Sequence, residues 1–226
     1  HQLYFKAKEA GYFTEEVVSI EVPQRKGDPL VVAEDESPRA DTSIEKLAKL
    51  KTIYGSPTVT PGNAPGLSTG SSAMLLMSGE EAKKRGLKPL ASLMAWAMAS
   101  GHPDKLASIP AEGARLSLEK AGMTVDDIDL IEINEAFAAM PLVSTLVMAG
   151  GDKAKAEAIR AKTNVNGGAI ALGHPTGATG ARLIITLIYE LRRRRQASGE
   201  KRPFYGLVTI CGGIGEAEAV IVKVDD

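Results

Sequence analysis

Apolar and polar positions are distributed unevenly along this chain. Residues 12 to 62 are polar, rich in Pro, Asp, Glu and Lys, and hold only short apolar clusters, at Val17 to Val22 and Leu30 to Val32, that suit brief strands. Such a stretch has too few apolar residues for a substantial core of its own and is expected to be a surface insertion. A helix ends before it, over Gln2 to Gly11, and one short helix is expected inside it at Ser43 to Leu50, where Thr42 and Ser43 supply the start and Glu45 the acidic first turn. From Gly62 to Gly86 small residues lead into an apolar run at Ala73 to Met77, expected as a strand, and then a helix at Glu80 to Arg85.

Beyond residue 87 strands and helices alternate. Leu90 to Ala99 reads as a strand and Pro110 to Ala121 as a helix; Asp129 to Ile133 reads as a strand, and Asn134 stands as an N-cap before a helix over Glu135 to Ala149. After Gly180 the positions Leu183, Ile184, Leu187, Ile188 and Leu191 recur at helical spacing. Leu207 to Ile210 and Ala217 to Val224 read as a final pair of strands. Strands joined by helices, with an antiparallel pair at the end, imply an α/β fold whose mixed sheet carries helices on both faces.

Composition narrows the classes of partner. The chain has 226 residues, 44% of them hydrophobic, and a net charge of −1, so nothing electrostatic favours nucleic acid. The basic run Arg192 to Arg195 reads as a solvated helix C-terminus, since no aromatic residue interrupts it. No apolar run approaches the roughly 18 residues of a membrane span. One cysteine excludes an internal disulfide framework and fits a reducing compartment, so a cytoplasmic address is expected, with a mitochondrial or peroxisomal one left open. His1, His102 and His174 show no ligand spacing, so no metal site is expected.

Three element ends carry chemistry. The stretch Asn164-Val-Asn-Gly-Gly-Ala-Ile-Ala-Leu-Gly-His-Pro-Thr-Gly-Ala-Thr-Gly180 is dense in glycine, has His174 as its only titratable group, and runs into a helix, so that amides and an imidazole meet near a helix N-terminus. Cys211 lies between a strand and Gly212-Gly-Ile-Gly215. Asn134 closes a strand. The glycine spacing fits neither a dinucleotide fingerprint nor a P-loop. Taken singly, the cysteine reads as a small buried hydrophobe, the histidine as a satisfied loop residue and the asparagine as a cap; together they read as a site.

Asn134-Glu-Ala-Phe-Ala138, Gly173-His-Pro175 with its preceding Asn-Gly-Gly-Ala, and Cys211-x-Gly213-x-Gly215 stand in the order and at about the spacing of the three C-terminal active-site motifs of the thiolases. The Gly62-Asn63-Ala64 and Leu75 to Ala82 stretches are similar to that family as well. The resemblance implies a thiolase-like mixed five-stranded sheet covered by helices on both faces, with residues 1–62 as the latter part of a coenzyme A-covering loop domain, 63–86 as the end of the N-terminal half and 87–226 as the C-terminal domain. It implies that His174 forms an oxyanion hole and helps activate a nucleophilic cysteine, that Asn134 orients an oxyanion water, that Cys211 is the general acid/base, and that the amide of Gly213 serves a second oxyanion hole. It places Arg39, Tyr54, Gly66 and Phe137 along the coenzyme and acyl channel, with coenzyme A or acyl-CoA as substrate and no permanently bound cofactor. Pro65 departs from the family pattern, which has a serine near the pantetheine.

The implied activity is reversible Claisen condensation and thiolytic cleavage of 3-oxoacyl-CoA. The family also uses a nucleophilic cysteine in its N-terminal half, and this chain has no second cysteine. The chain is therefore expected to be one piece of a longer protein or to take the nucleophile from a partner chain, in a homo- or hetero-oligomer. The alternative is a non-catalytic acyl-CoA or lipid-binding subunit. A ketoacyl synthase fits less well, since those enzymes carry a second histidine where Cys211 stands.

Overall fold

A computed structural model describes residues 1–225. In chain order the elements are α1 (Gln2–Glu9), β1 (Ile20–Val22), β2 (Leu30–Val32), α2 (Ile44–Leu47), α3 (Gly79–Lys84), β3 (Ser92–Ser100), α4 (Ile109–Ala121), β4 (Leu130–Ile133), α5 (Ala139–Met148), α6 (Lys153–Ala161), α7 (Ala169–Leu172), α8 (Thr179–Ser198), β5 (Phe204–Cys211) and β6 (Glu216–Val224). The main sheet runs β3-β6-β5-β4, with β4 and β5 parallel and the other two pairs antiparallel. The expected mixed sheet is present, but with four strands among the described residues; the fifth position is a single parallel bridge from Ile131 to Thr163.

Each face of the sheet buries its own cluster. Ile131 and Ile133 of β4, Leu207 of β5 and Ile221 of β6 pack with Ala114 and Leu118 of α4 and Ile159 of α6. Leu130, Val208, Val222 and Val224, from the opposite face, pack with Leu183, Leu187, Ile188 and Leu191 of α8. The period of two along the strands and of 3.6 along α8 thus sorts the side chains into two cores. Gly206 lets α8 lie close to β5, since a Cβ there would come within 2.6 Å of Leu187.

Several expected elements change on folding. The helix expected from Glu135 begins at Ala139, because the Glu135 carboxylate and the backbone of Ala138 are engaged elsewhere: Ile170 N–H donates to Glu135 Oε2 at 2.9 Å, and Ala138 N–H donates to the Asn63 carbonyl at 2.9 Å. Asn134 is accordingly not its cap. The apolar run at Ala73 to Met77 forms no strand; no ladder partner lies beside it among the described residues, and Leu75 and Leu76 are 80% and 60% exposed. In the polar insertion β1 and β2 pair only with each other and are mostly exposed, while Ser43 caps α2 as expected, its hydroxyl accepting from Lys46 N–H at 3.2 Å. The helix α6, capped by Asp152, was not evident from the sequence pattern.

Candidate functional site

The C-terminal ends of the parallel strands β4 and β5 lie side by side. Ile133 pairs with Thr209, and Asn134 N–H donates to the Thr209 carbonyl at 3.0 Å, so β4 delivers Asn134 at the same edge where β5 ends in Cys211. Loops outside the carboxyl ends of strands are where open α/β sheets place their chemistry.

Asn134 is 1% exposed, and its Nδ2 lies 3.2 Å from His174 Nε2. The other ring nitrogen, Nδ1, lies 2.7 Å from Thr179 Oγ1 at the start of α8, and that hydroxyl reaches the Pro175 carbonyl at 3.0 Å. The His174 backbone N–H donates to Ser68 Oγ at 3.1 Å, and the Ser68 hydroxyl donates to the Gly66 carbonyl at 3.0 Å. The ring is thus gripped at both nitrogens and its backbone is pinned by a segment more than a hundred residues away. Burial, with a smaller contribution from the Arg182 charge, holds the imidazole below its ordinary pKa, so the neutral form dominates near pH 7. Asn134 Oδ1 is buried and accepts no hydrogen bond from the protein.

The glycine pair in front of the histidine is needed for close approach. A Cβ at Gly168 would fall 2.5 Å from the Glu135 carboxylate, which accepts from Ile170 N–H and also from Asn164 Nδ2 at 3.3 Å. Glu135 therefore ties the strand end at Asn134 to the loop that carries His174.

Cys211 is half-buried, and burial pushes its thiol above the ordinary value, so it is protonated at neutral pH. Gly212 N–H donates to the Glu216 carbonyl at 2.7 Å, closing the turn to β6, and around Gly213 the space within 4 Å of an added Cβ is open. Of the channel residues expected from sequence, Gly66 is joined to His174 through Ser68, and Phe137 is half-buried three residues after Asn134. Tyr54 is 74% exposed in the left-handed region, φ 58°, so it is not a core residue. Arg39 is exposed, its backbone N–H bonded to His1 Nδ1 at 3.1 Å.

Sequence reasoning passed over Ser68, Thr179, Arg182, Glu132 and Glu135. One signal was present: Glu132 is a charge inside the apolar strand Leu130 to Ile133, and it is 2% exposed. Nothing in the spacing marked Ser68, whose contact with His174 is purely tertiary. The four arginines 192 to 195 are engaged by the protein, with Arg193 and Arg194 on Glu190, Arg192 on the Leu90 carbonyl and Arg195 on the Arg202 carbonyl. No helix among the described residues is long and apolar enough to cross a membrane, and no group of three or more potential metal ligands occurs among them.

A neutral, doubly held imidazole and a buried carboxamide at one sheet edge, with a protonated thiol on the next strand, define a site suited to stabilising negative charge on oxygen while a proton moves. Comparison with known proteins gives that class a family. Residues 87–224 match the family described as Thiolase, C-terminal domain, and residues 1–80 match Thiolase, N-terminal domain. This chain belongs to the thiolase family. It is 46% identical over 217 residues to an acetyl-CoA acetyltransferase of Chromobacterium violaceum, covering 95% of this chain and 52% of that protein. The crystal structure of the Bacillus anthracis acetyl-CoA acetyltransferase superposes with a TM-score of 0.88 at 41% identity, covering 99% of this chain and 53% of that one. Human mitochondrial 3-ketoacyl-CoA thiolase in complex with CoA gives 0.81 at 34% identity, over 99% and 52%. The chain spans about half the length of the curated relatives it matches.

Proposed function

We propose that this chain supplies the oxyanion and proton-transfer half of a thiolase-type acyltransferase that cleaves 3-oxoacyl-CoA with coenzyme A and condenses acyl-CoA in reverse, the nucleophilic cysteine coming from a segment or subunit outside it. The observation that carries this reading is the Asn134–His174 contact at the edge shared with Cys211. As the contacts stand, Asn134 Nδ2 can only donate to Nε2, which puts the ring proton on Nδ1 toward Thr179 Oγ1. For His174 to donate from Nε2 to a thioester oxygen, that oxygen must displace Asn134 Nδ2, Nδ1 must accept, and the Thr179 hydroxyl at 2.7 Å must turn from the Pro175 carbonyl to supply that proton. Asn134 keeps Oδ1 free as an acceptor that can orient a water beside the same oxygen.

In the cleavage direction the upstream cysteine attacks as its thiolate, which is restored when the acyl group passes to coenzyme A. Attack on the 3-oxo carbon forms a tetrahedral oxyanion. Its collapse breaks the carbon–carbon bond and sends the electron pair to the α-carbon, with charge delocalised onto the thioester oxygen held by His174. Cys211 Sγ–H protonates that carbon and leaves as thiolate. The thiolate then takes the proton of an incoming coenzyme A thiol, whose sulfur attacks the acyl-cysteine, while the Gly213 amide serves that second oxyanion. A thiol raised by burial suits the role of acid. Gly66 and Phe137 would line the inner channel and Arg39 and Tyr54 its outer end, within the same three-part division at residues 62 and 86.

The upstream half would cover the apolar side of β3, where Leu93, Trp96 and Met98 are 50%, 61% and 57% exposed. Trp96 is the only tryptophan, so its emission reports docking. The test is to co-express the chain with the N-terminal half of a full-length relative and to follow Trp96 emission and thiolysis of acetoacetyl-CoA together. A blue shift with activity that Cys211→Ala abolishes supports the reading. Coenzyme binding without any turnover would instead favour an acyl-CoA-binding subunit.

A further inference from the structure

Behind the imidazole lies a buried polar cluster that the reaction steps above do not use. Glu132 sits two residues before Asn134 on β4, on the face that packs against α8, and Arg182 sits three residues after Thr179 on α8. The two residues that grip the His174 ring nitrogens therefore each have a charged neighbour on the same element and on the same side. These neighbours face each other, with Arg182 Nη1 3.8 Å from Glu132 Oε2, their side chains 23% and 3% exposed. At that distance the pair is not a formed hydrogen bond, and Arg182 Nη1, Arg182 Nη2 and Glu132 Oε2 are all buried without a hydrogen-bond partner in the protein. Glu16 approaches from the segment after α1, its Oε1 3.4 Å from Thr186 Oγ1 and its Oε2 likewise without a partner.

We infer that Arg182, steadied by Glu132, is a positioning residue for the oxyanion pair: neither Nη of its guanidinium is spent in a hydrogen bond to the protein, and it stands three residues along α8 from the Thr179 that holds His174 Nδ1, where its charge keeps the ring neutral and able to donate one proton without carrying two. The inference rests on the proposed role of His174. The charge balance of the cluster supports it. Glu135 follows β4, Glu16 and Asp35 come from the N-terminal segment, and Glu190 lies further along α8. Arg193 and Arg194 are drawn onto Glu190. Burial, only partly offset by Arg182, pushes Glu132 up to about 8 and Glu16 to about 7, so near neutral pH neither cancels the guanidinium fully. The same cation acts on His174 in the sense of lowering its pKa. A second proton on the ring would have to enter a buried region already holding an uncompensated positive charge.

The experiment is a pH titration of the imidazole resonances of the chain by heteronuclear NMR. With three histidines in the sequence, His174 is assigned by difference against His174→Ala. In the parent chain the His174 midpoint lies below the ordinary histidine value; a midpoint at or above it overturns the inference without any variant. Arg182→Gln is expected to raise the midpoint, Arg182→Lys to keep it low, and Glu132→Gln to leave it no higher than in the parent. A midpoint unmoved by Arg182→Gln, raised as far by Arg182→Lys, or raised by Glu132→Gln contradicts it. Failure of the proposed function looks different: thiolysis by the assembled enzyme would survive His174→Ala, while these midpoints would stand as described.

Discussion

The two parallel strand ends that form the site are built in opposite ways. At the end of β4, Asn134 is buried, fixed by the Thr209 carbonyl and in contact with an imidazole that is itself held by Thr179, Ser68 and the Glu135-braced loop. At the end of β5, Cys211 is only half-buried and opens into a glycine turn with free space around Gly213. In the proposed reaction, the groups that would surround a developing oxyanion are held in place before substrate arrives, which is where preorganisation contributes most. The group that would carry a proton between a carbon and a sulfur keeps room to move.

That contrast is broken hardest at the looser end. Cys211→Ala in the assembled enzyme is expected to lower thiolysis about 10³- to 10⁴-fold, the scale of a lost acid/base with no substitute. Acylation of the upstream nucleophile by acetyl-CoA, which releases a coenzyme thiolate and needs no protonation at carbon, should remain measurable by mass; its parallel loss would show that Cys211 does something other than move the α-proton. At the rigid end, Asn134→Ala is expected to lower kcat by about 10²- to 10³-fold, as for the loss of one preorganised oxyanion donor, with KM nearly unchanged. A variant that raised KM and kept kcat would assign Asn134 to binding.

The charged layer behind the rigid end gives a smaller effect, of opposite sign and visible in stability. Burial pushes the Glu132 carboxyl up to about 8, above the ordinary 4.5 of a glutamate. Between those values the folded chain holds a proton the unfolded chain has released, so this group lowers stability as pH rises from about 4.5 to 8. Glu132→Gln, which needs no ionisation, should therefore gain stability relative to the parent as pH rises, by about 1.4 kcal/mol for each pH unit between those two values. Thermal unfolding at pH 5 and pH 9 checks it, and an equal difference at both pH values would mean that Glu132 is ionised throughout.

Legibility in the sequence followed the same divide. The long periodic segments beyond residue 87 announced their type, because α8 and β5 bury one face or both and the pattern of Leu183 to Leu191 and Leu207 to Ile210 has to match. Asn134, His174 and Cys211 stood out because each ends an element. The residues that hold them did not. Ser68 and Gly66 come from a segment without periodic structure, and Thr179 looks like any helix-start threonine until the ring is beside it. The start of α5 was misplaced for a related reason: Glu135 and Ala138 suit a helix locally, but tertiary bonds to Ile170 and Asn63 claim them. The Ala73 to Met77 run shows the reverse error, since β-propensity without a neighbouring strand makes no ladder.

The finest distinction between the two ends lies in Thr179. If its hydroxyl only filled space, Thr179→Val would be nearly silent, because the shapes match. The hydroxyl instead lies within reach of His174 Nδ1 at 2.7 Å and the Pro175 carbonyl at 3.0 Å, in a fully buried position. Removing it leaves one ring nitrogen and one carbonyl without that partner, a loss of about 1 to 2 kcal/mol. We expect roughly a tenfold fall in kcat, since 1.4 kcal/mol is a factor of ten, with Thr179→Ser recovering most of it. Recovery by serine matters more than the size of the fall. Serine restores the proton donor to Nδ1 but not the methyl group, so a Thr179→Ser variant as slow as Thr179→Val would show that packing around the ring, rather than its tautomer, is what the start of α8 contributes.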